Sequence, residues 1–308
     1  MPAPQTTPQS RLHRSAIFLS AKVPTQQQRQ GEPKFEVIHD AFARIEEAVI
    51  SLARAIFMEG GTLVFGAHPS ISPLVARVIQ DFYLPEPAPS SKGSPERPQH
   101  WKNPALIIYQ SKVWQKDWAQ ATQRLERHPL VTVKWTDIKG GEKVDPKIED
   151  RSQAPRSLTH MREAMIKDTD FDGIHEKPKP YKMVAMVAIG GMGGVLEEAD
   201  IFAREHPGLP IYTYTTTGGA AAMLSSRQGL EERTKSPDAH ALADIQKFWT
   251  AQAEREEQAR RERSARRQEG RSQSPLQQPQ AIPAQHIYIP YGYVAQQIVA
   301  DLVNPQHP

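Results

Sequence analysis

The sequence predicts an α/β domain built on an open parallel sheet with helices on both faces. Two observations predict this fold class. Short apolar runs bounded by turn residues alternate with longer segments whose apolar residues recur every three or four positions. Most of the short runs are continuously apolar, which is typical of strands covered on both sides. Strands that alternate with helices in this way form parallel sheets through right-handed crossovers.

Six apolar runs are the predicted strands. The most apolar one is MVAMVAI, which precedes a glycine-rich stretch. Each run is short and is bounded by glycine, proline or polar residues, as strands are. The predicted strands are 16–20, 62–65, 105–109, 132–135, 183–189 and 210–214.

The segments between the strands show helical periodicity. Gly60 and Gly61 close the first helix, because glycine readily adopts the left-handed conformation at a helix end. Further helices are predicted around Leu74 to Ile79, over 158–166 and around Val195 to Ala203. The first helix has one apolar stripe, consisting of Ile38, Phe42, Ile45, Val49, Leu52 and Ile56.

Composition divides the chain into a folded domain and less ordered segments. A Pro-rich insertion at 85–99 falls between a helix and a strand, where insertions are tolerated. The stretch 253–272 has no large apolar residue, so it is a solvated helix or a disordered arm. The predicted parts are a disordered tail at 1–14, the domain at 15–235, a charged helical arm and linker at 236–285, and a segment at 286–304 that packs back on the domain.

Composition also excludes several functional classes. The chain has 308 residues, no cysteine and a net charge of +3, so disulfides and thiolate chemistry are absent. No apolar run approaches the roughly 20 residues that span a bilayer, and the N-terminus lacks a signal-peptide core. We expect a cytoplasmic protein without membrane contact. Glutamates alternate with the arginines of the arm, which favours a self-paired helix over a nucleic-acid surface.

The most informative stretch is 189–198, IGGMGGVLEE, which follows a strand and opens a helix. Its glycines allow a close approach to a ligand, and a helix N-terminus attracts anions such as phosphate. The stretch is not a dinucleotide fingerprint, because Leu196 stands where G-x-G-x-x-G needs its last glycine. It is not a Walker loop either, because no Gly-Lys-Ser/Thr follows.

This loop resembles the GG-x-G-T-x-x-E signature of the SLOG superfamily, which includes LOG phosphoribohydrolases, DprA and nucleotide sensors of bacterial defence systems. Ile189 and Gly194 stand where LOG enzymes have proline and threonine. The missing threonine removes a hydroxyl that contacts phosphate or ribose. The residues that match the signature are Gly190, Gly191, Gly193 and Glu197.

The resemblance extends from about residue 16 to residue 222 and implies a Rossmann-like fold. It implies that Arg162 and Glu197 are catalytic if the protein is an enzyme. The stretches 16–21 and 60–69 resemble two further ligand loops of the superfamily. The ligand or phosphate site that it implies comprises Ser20, Gly66, His68, Arg162, Gly190, Gly191, Met192, Gly193, Gly194, Thr217 and Gly218.

The predicted fold independently brings several of these positions together. Ligands of open parallel sheets bind beyond the carboxyl ends of the strands. Ser20, Gly66, Ser111, Gly190 and Thr217 all lie at or just after predicted strand ends. We therefore expect them to cluster, although for Ser111 a plain surface position is favoured.

Structural roles compete with ligand contact at each polar candidate. His68 is also placed to cap the next helix, and Arg162 to lie on a solvated face beside charged neighbours. Glu197 favours a helix N-terminus electrostatically, by about 0.3–1 kcal/mol. No metal is expected, because no pair of histidines has ligand spacing, and no Gly-x-Ser-x-Gly elbow indicates a serine hydrolase.

Three functions fit the pattern. The first is a sensor that binds an NAD- or ADP-ribose-like molecule and signals to an effector protein in trans, without a cofactor. The second is a LOG-type hydrolase that cleaves the N-glycosidic bond of a nucleoside monophosphate. The third is DprA-like binding of single-stranded DNA, which needs exposed aromatic residues, whereas Trp101, Trp114, Trp118 and Trp135 lie in apolar surroundings. The resemblance also implies a homodimer.

Overall fold

The computed structural model describes residues 11–25, 35, 40–82, 104–116, 120–143, 154–167, 181–267 and 287–304. In the arm, side chains are described up to residue 262. The predicted tail before residue 11, the insertion at 85–99 and the linker after Arg267 lie outside these residues.

The sheet has seven parallel strands in the order β4-β3-β2-β1-β5-β6-β7. The chain winds outward from β1 to β4, returns to place β5 beside β1, and winds outward again on the other side. The predicted α/β class, Rossmann-like with an open parallel sheet, is confirmed. The strands are β1 Ser15–Lys22, β2 Thr62–Gly66, β3 Leu106–Ser111, β4 Val131–Thr136, β5 Lys182–Gly190, β6 Ile211–Tyr214 and β7 Thr234–Lys235.

Helices connect the strands and continue beyond the sheet. Besides the four predicted segments, two short helices are present, one between β3 and β4 and one after β6. The helices are α1 Ala41–Met58, α2 Ser72–Phe82, α3 Gln120–Glu126, α4 Pro155–Lys167, α5 Gly193–Glu205, α6 Gly219–Leu224, α7 Pro237–Arg267 and α8 Tyr291–Val303.

Both faces of the sheet are covered, as the continuous apolar strands predict. Side chains of β1 alternate between two cores: Ile17 and Leu19 pack with α1, α2, α3 and α8, whereas Ala16 and Phe18 pack with α4, α5 and α6. Every one of these side chains is at most 2% exposed. The site at the carboxyl edge is therefore built on a rigid central strand.

The predicted apolar stripe of α1 is wrong at one position. Ile45, Val49, Leu52 and Ile56 are buried, but Phe42 is 59% exposed. Phe42 is the second residue of the helix, so its neighbours on one side belong to the preceding segment and not to the helix itself. Ile38 lies outside the described residues.

The C-terminal third of the chain forms a long helix and a returning one. Helix α8 packs against α1, and Tyr291 and Val294 are buried there. Helix α7 packs on the domain through Ala241, and its side chains from residue 250 to residue 262 are exposed or half-buried. No described helix is both long and apolar enough to cross a membrane.

Candidate functional site

The candidate site lies where the winding of the sheet reverses, between β1 and β5. At this point the connections after the two strands diverge to opposite faces, which leaves a crevice at the carboxyl edge. The segment after β5 is the glycine-rich loop, and the turn after β6 lies against it. Ala220 N donates to Gly191 O at 3.0 Å and joins the two.

The first two glycines of the loop are required by its shape. Gly190 and Gly191 have φ angles of +58° and +81°, which side chains rarely adopt. A Cβ at Gly190 would overlap Ile45, and one at Gly191 would overlap Val195. These glycines let the chain turn sharply from β5 into α5.

Hydrogen bonding separates the loop into a structural half and an open half. Gly190 N donates to Thr217 Oγ1 at 2.8 Å, and Gly191 N donates to Lys22 O at 2.9 Å. These two N–H groups are therefore not available to an anion. Among the described residues, nothing accepts a hydrogen bond from the N–H groups of Met192, Gly193 or Gly194. They form the N-terminus of α5, where an anion is stabilised.

Beside this N-terminus, Arg162 of α4 bridges two glutamates of α5. Its guanidinium pairs with Glu197 Oε2 through Nη1, and its Nε donates to Glu198 Oε1 at 3.3 Å. The Arg162 side chain is 13% exposed, whereas that of Glu197 is 43% exposed. A solvated position for Arg162 is therefore wrong, and the cluster of one cation and two carboxylates carries a net charge of −1.

The guanidinium of Arg162 also covers Gly194. A Cβ at Gly194 would overlap Nη2 of Arg162 and lie 3.5 Å from its Cζ. Arg162 thus occupies the space into which a threonine at this position would extend. Glycine at this position therefore leaves room for the guanidinium of Arg162.

Glu198 and Thr159 join the site, and neither was among the candidates from sequence. Ser20 Oγ donates to Glu198 Oε2 at 2.5 Å, and Thr159 Oγ1 donates to Glu197 Oε1 at 3.4 Å. Ser20 is buried in β1, so its contact fixes the Glu198 carboxylate against the sheet. A serine at the end of an apolar strand and the acidic pair in the second turn of α5 were the available signals.

The turn after β6 anchors the loop from the other side. Thr217 Oγ1, buried, accepts from Gly190 N and donates to Tyr214 O at 2.5 Å. Gly218 follows with a φ of +71°. Neighbouring Thr216 donates to Asp238 Oδ2 of α7 through N at 2.7 Å and through Oγ1 at 2.6 Å.

Asp238 is fully buried at the start of α7 and links the site to the arm. Burial raises the pKa of Asp238, and the hydrogen bonds from Thr216 oppose that shift. Thr216 Oγ1 also lies 2.9 Å from the hydroxyl of Tyr291, on α8. One threonine therefore connects the turn beside the glycine loop to both C-terminal helices.

Three other candidates have local structural roles. His68 Nδ1 accepts from Ser70 N at 3.2 Å and shapes the turn before α2, in keeping with the capping alternative. Gly66 faces Met161 and Met165. The predicted surface position of Ser111 is wrong, because Ser111 is fully buried and its Oγ accepts from Val113 N at 3.4 Å.

Within the described residues, no group of three acidic or histidine side chains is arranged to hold a metal ion.

The features that a nucleic-acid interface would need concern the tryptophans and the arm. Trp114 is buried and Trp135 is half-buried, whereas Trp101 and Trp118 lie outside the described residues. In the arm, Arg261 pairs with Glu257 at 2.5 Å, one helical turn away. These contacts leave the glycine loop as the site with the clearest chemistry.

The fold and the loop define a Rossmann-like α/β protein with a glycine-rich helix N-terminus at its switch point. Residues 98–245 match the sequence model of the SLOG cluster3 family. This range runs from before β3 into α7, so it contains Arg162, the glycine loop and the turn after β6. It leaves out β1 and β2, and with them Ser20 and Gly66.

Among solved structures, the X-ray structure of TM1055, a structural genomics target, is similar to this chain. It is 12% identical, and the similarity covers 69% of this chain and 81% of that one with a TM-score of 0.35. No curated protein matches the chain.

Proposed function

We propose that the protein binds an NAD- or ADP-ribose-like molecule at the glycine loop and acts as a sensor that signals to an effector. The observation that carries this proposal is the open N-terminus of α5, with three N–H groups beside Arg162 and Glu197. Phosphate oxygens accept from such N–H groups, and the helix dipole favours their charge. The match to a SLOG family over this region supports the same ligand class.

The carboxylates suit the sugar of such a ligand. Glu197 is 43% exposed and accepts hydrogen bonds from ribose hydroxyls in this role. The net negative side-chain charge around Arg162 favours neutral ribose hydroxyls on that side of the site, so the phosphates of the ligand face the N–H groups of α5 instead. A ligand in which neutral hydroxyls adjoin a phosphate, as in a nucleotide, matches the site better than a free polyphosphate.

Hydrogen bonds that connect the glycine loop to helix α7 support the sensor role. The turn that anchors the glycine loop also holds α7 through Asp238. Helix α7 carries Phe248 and Trp249, which are 61% and 46% exposed and in contact with each other. This part of the arm, together with α8, is the proposed surface for an effector. A homodimer is proposed with it, to be measured by sedimentation with and without ligand.

An N-glycosidic hydrolase is the second candidate, favoured by the contact between Arg162 and Glu197. Hydrolysis breaks the bond from ribose C1′ to the base nitrogen. A water oxygen joins C1′, and a water proton passes to the departing base. The carboxylate of Glu197 would stabilise the positive charge that develops on the ribose, while the loop N–H groups hold the phosphate.

One experiment separates the two roles. The full chain is incubated with AMP, ADP-ribose, cyclic ADP-ribose or NAD, and thermal shift and product chromatography are run on the same samples. Binding at about 100 times Kd stabilises by roughly 2.7 kcal/mol, which is readily measured. A shift without products supports the sensor. Released base that disappears in Glu197→Gln establishes the hydrolase instead.

The matched control is another ion pair between the same two helices. Lys167 of α4 pairs with Glu205 of α5 at 3.6 Å, at the ends of the helices away from the loop. Arg162→Ala is expected to weaken ligand binding at least tenfold, and Lys167→Ala to leave it unchanged. Equal effects of both variants, or no shift with any ligand, would refute binding at this site.

A further inference from the structure

A small pocket lies under the glycine loop, on the side that faces α1. Its volume is about 60 Å³. One wall belongs to the loop and to the turn after β6, and the other to the end of β1 and the start of α1. The lining residues are Val23, Pro24, Phe35, Ala41, Phe42, Ile45, Gly190, Gly191, Thr217 and Gly219.

The pocket offers apolar surface and little else. Among the described residues that line it, Thr217 has the one polar side chain, and that hydroxyl already accepts from Gly190 N and donates to Tyr214 O. The N–H groups of Gly190 and Gly191 are also donated within the protein. From the described side chains, an occupant therefore gains contact area but no hydrogen bond.

Phe42 makes this pocket suited to an aromatic group. A phenylalanine at 59% exposure leaves most of a large apolar ring in water. Phe42 lines the pocket and is exposed, so it lies at the mouth. An aromatic ring of a ligand can stack on the exposed face of a phenylalanine. The edge of such a flat ring would then enter the pocket that Phe42 lines.

The pocket lies close to the N-terminal end of α5 along the chain. Gly191 lines the pocket, and Gly193 is two residues further along the chain, at most about 7.6 Å away between Cα atoms. One small molecule lying across the loop therefore reaches both sides. Its anionic group faces the N–H groups of α5, while its other end faces Phe42.

We propose that this pocket takes the aromatic base of the ligand, stacked on Phe42 and recognised without hydrogen bonds to side chains. The inference rests on the proposed nucleotide-binding function. It makes Phe42 a residue that determines specificity for base-containing ligands over sugar phosphates. It also predicts weak discrimination among bases, because every base presents an aromatic face but each has its own hydrogen-bonding edge.

The test compares AMP with ribose 5-phosphate, which lacks the base, by calorimetry on the full chain. Phe42→Ala should weaken AMP binding about tenfold, in line with the value of one base–aromatic stack. It should leave ribose 5-phosphate binding within about twofold, and Phe42→Tyr should restore AMP binding. Met58→Ala is the control, because Met58 is 64% exposed on the same helix and far along it from the pocket.

The possible results distinguish failure of the pocket inference from failure of the proposed function. If the unaltered protein binds neither of these compounds nor ADP-ribose, cyclic ADP-ribose or NAD, the proposed function and the pocket both fail. If AMP binds and Phe42→Ala changes nothing, the function stands and the pocket inference is wrong. Equal weakening of AMP and ribose 5-phosphate would also overturn it, since that pattern indicates a general disturbance of α1. AMP, GMP and CMP affinities within about fivefold support recognition by stacking.

Discussion

Replacement of Gly194 by alanine tests whether Arg162 occupies the space above α5. Alanine normally stabilises a helix relative to glycine by up to about 1 kcal/mol. Gly194 has no positive φ, so its backbone accepts alanine. The new Cβ would overlap the guanidinium of Arg162. Because that group ends a flexible side chain, Arg162 moves and its ion pairs are lost, while the backbone stays in place.

The loss of stability expected for Gly194→Ala depends on how exposed the two ion pairs of Arg162 are. The pair with Glu198 is mostly buried, with side chains 13% and 16% exposed, and such charge-assisted bonds contribute about 1.5–3 kcal/mol. The pair with Glu197 is more exposed and contributes at most about 1 kcal/mol. With the helix gain subtracted, we expect Gly194→Ala to lower the free energy of unfolding by about 1–2 kcal/mol.

Gly193→Ala is the matched control in the same helical turn. No atom lies within 4 Å of a Cβ at Gly193, so this variant should be neutral or slightly stabilised. Urea unfolding of both variants, without ligand, measures the difference. A gap of about 2 kcal/mol corresponds to roughly 4–8 °C in Tm for a domain of this size.

The Arg162→Ala background shows whether the guanidinium is responsible. Once it is removed, Gly194→Ala should behave like Gly193→Ala, which makes the two sites strongly coupled. If Gly194→Ala is equally destabilising with and without Arg162, the overlap is not with this side chain. The explanation given for the missing threonine would then be wrong.

Other variants test the anchors of the loop. Gly219→Ala should lower the urea midpoint of unfolding clearly more than Gly229→Ala does. Both glycines have a positive φ, so both variants strain the backbone. Only at Gly219, however, would the new Cβ meet another atom, Gly191 O at 2.5 Å, since a Cβ at Gly229 has nothing described within 4 Å. Asp238→Ala should cost about 3 kcal/mol in urea unfolding, because it leaves the buried N–H of Thr216 without an acceptor; a cost below 1 kcal/mol would contradict the role assigned to it. Because burial raises the pKa of Asp238, the folded protein keeps a proton that the unfolded chain releases near pH 4, so its contribution to stability is largest at low pH and is lost as the pH rises through the raised value. Asp238→Asn should remove that part of the pH dependence, and an unchanged profile would assign it to another group.

The sequence by itself determined the strands and their fold class. An apolar run or a helical stripe is a pattern among residues that are close in the sequence, so it can be read without knowing the tertiary structure. For this reason the six predicted strands are found close to their predicted bounds. The two-residue β7 and the short α3 and α6 have too few residues to show a period. The glycine loop was also evident, because positive φ and close packing at Gly190 and Gly191 restrict those positions to glycine.

Only the tertiary structure decided how the site is arranged. Glu197 matches the signature and Glu198 does not, but only the packing of α5 against β1 and α4 shows that Glu198 contacts Ser20 while Glu197 is partly exposed to solvent. Likewise, the stripe containing Phe42 predicts a buried side chain, but that ring, in the first turn of α1, is 59% exposed. Periodicity reports which face of a helix is apolar, whereas contacts between distant segments depend on how far each element extends over its neighbours.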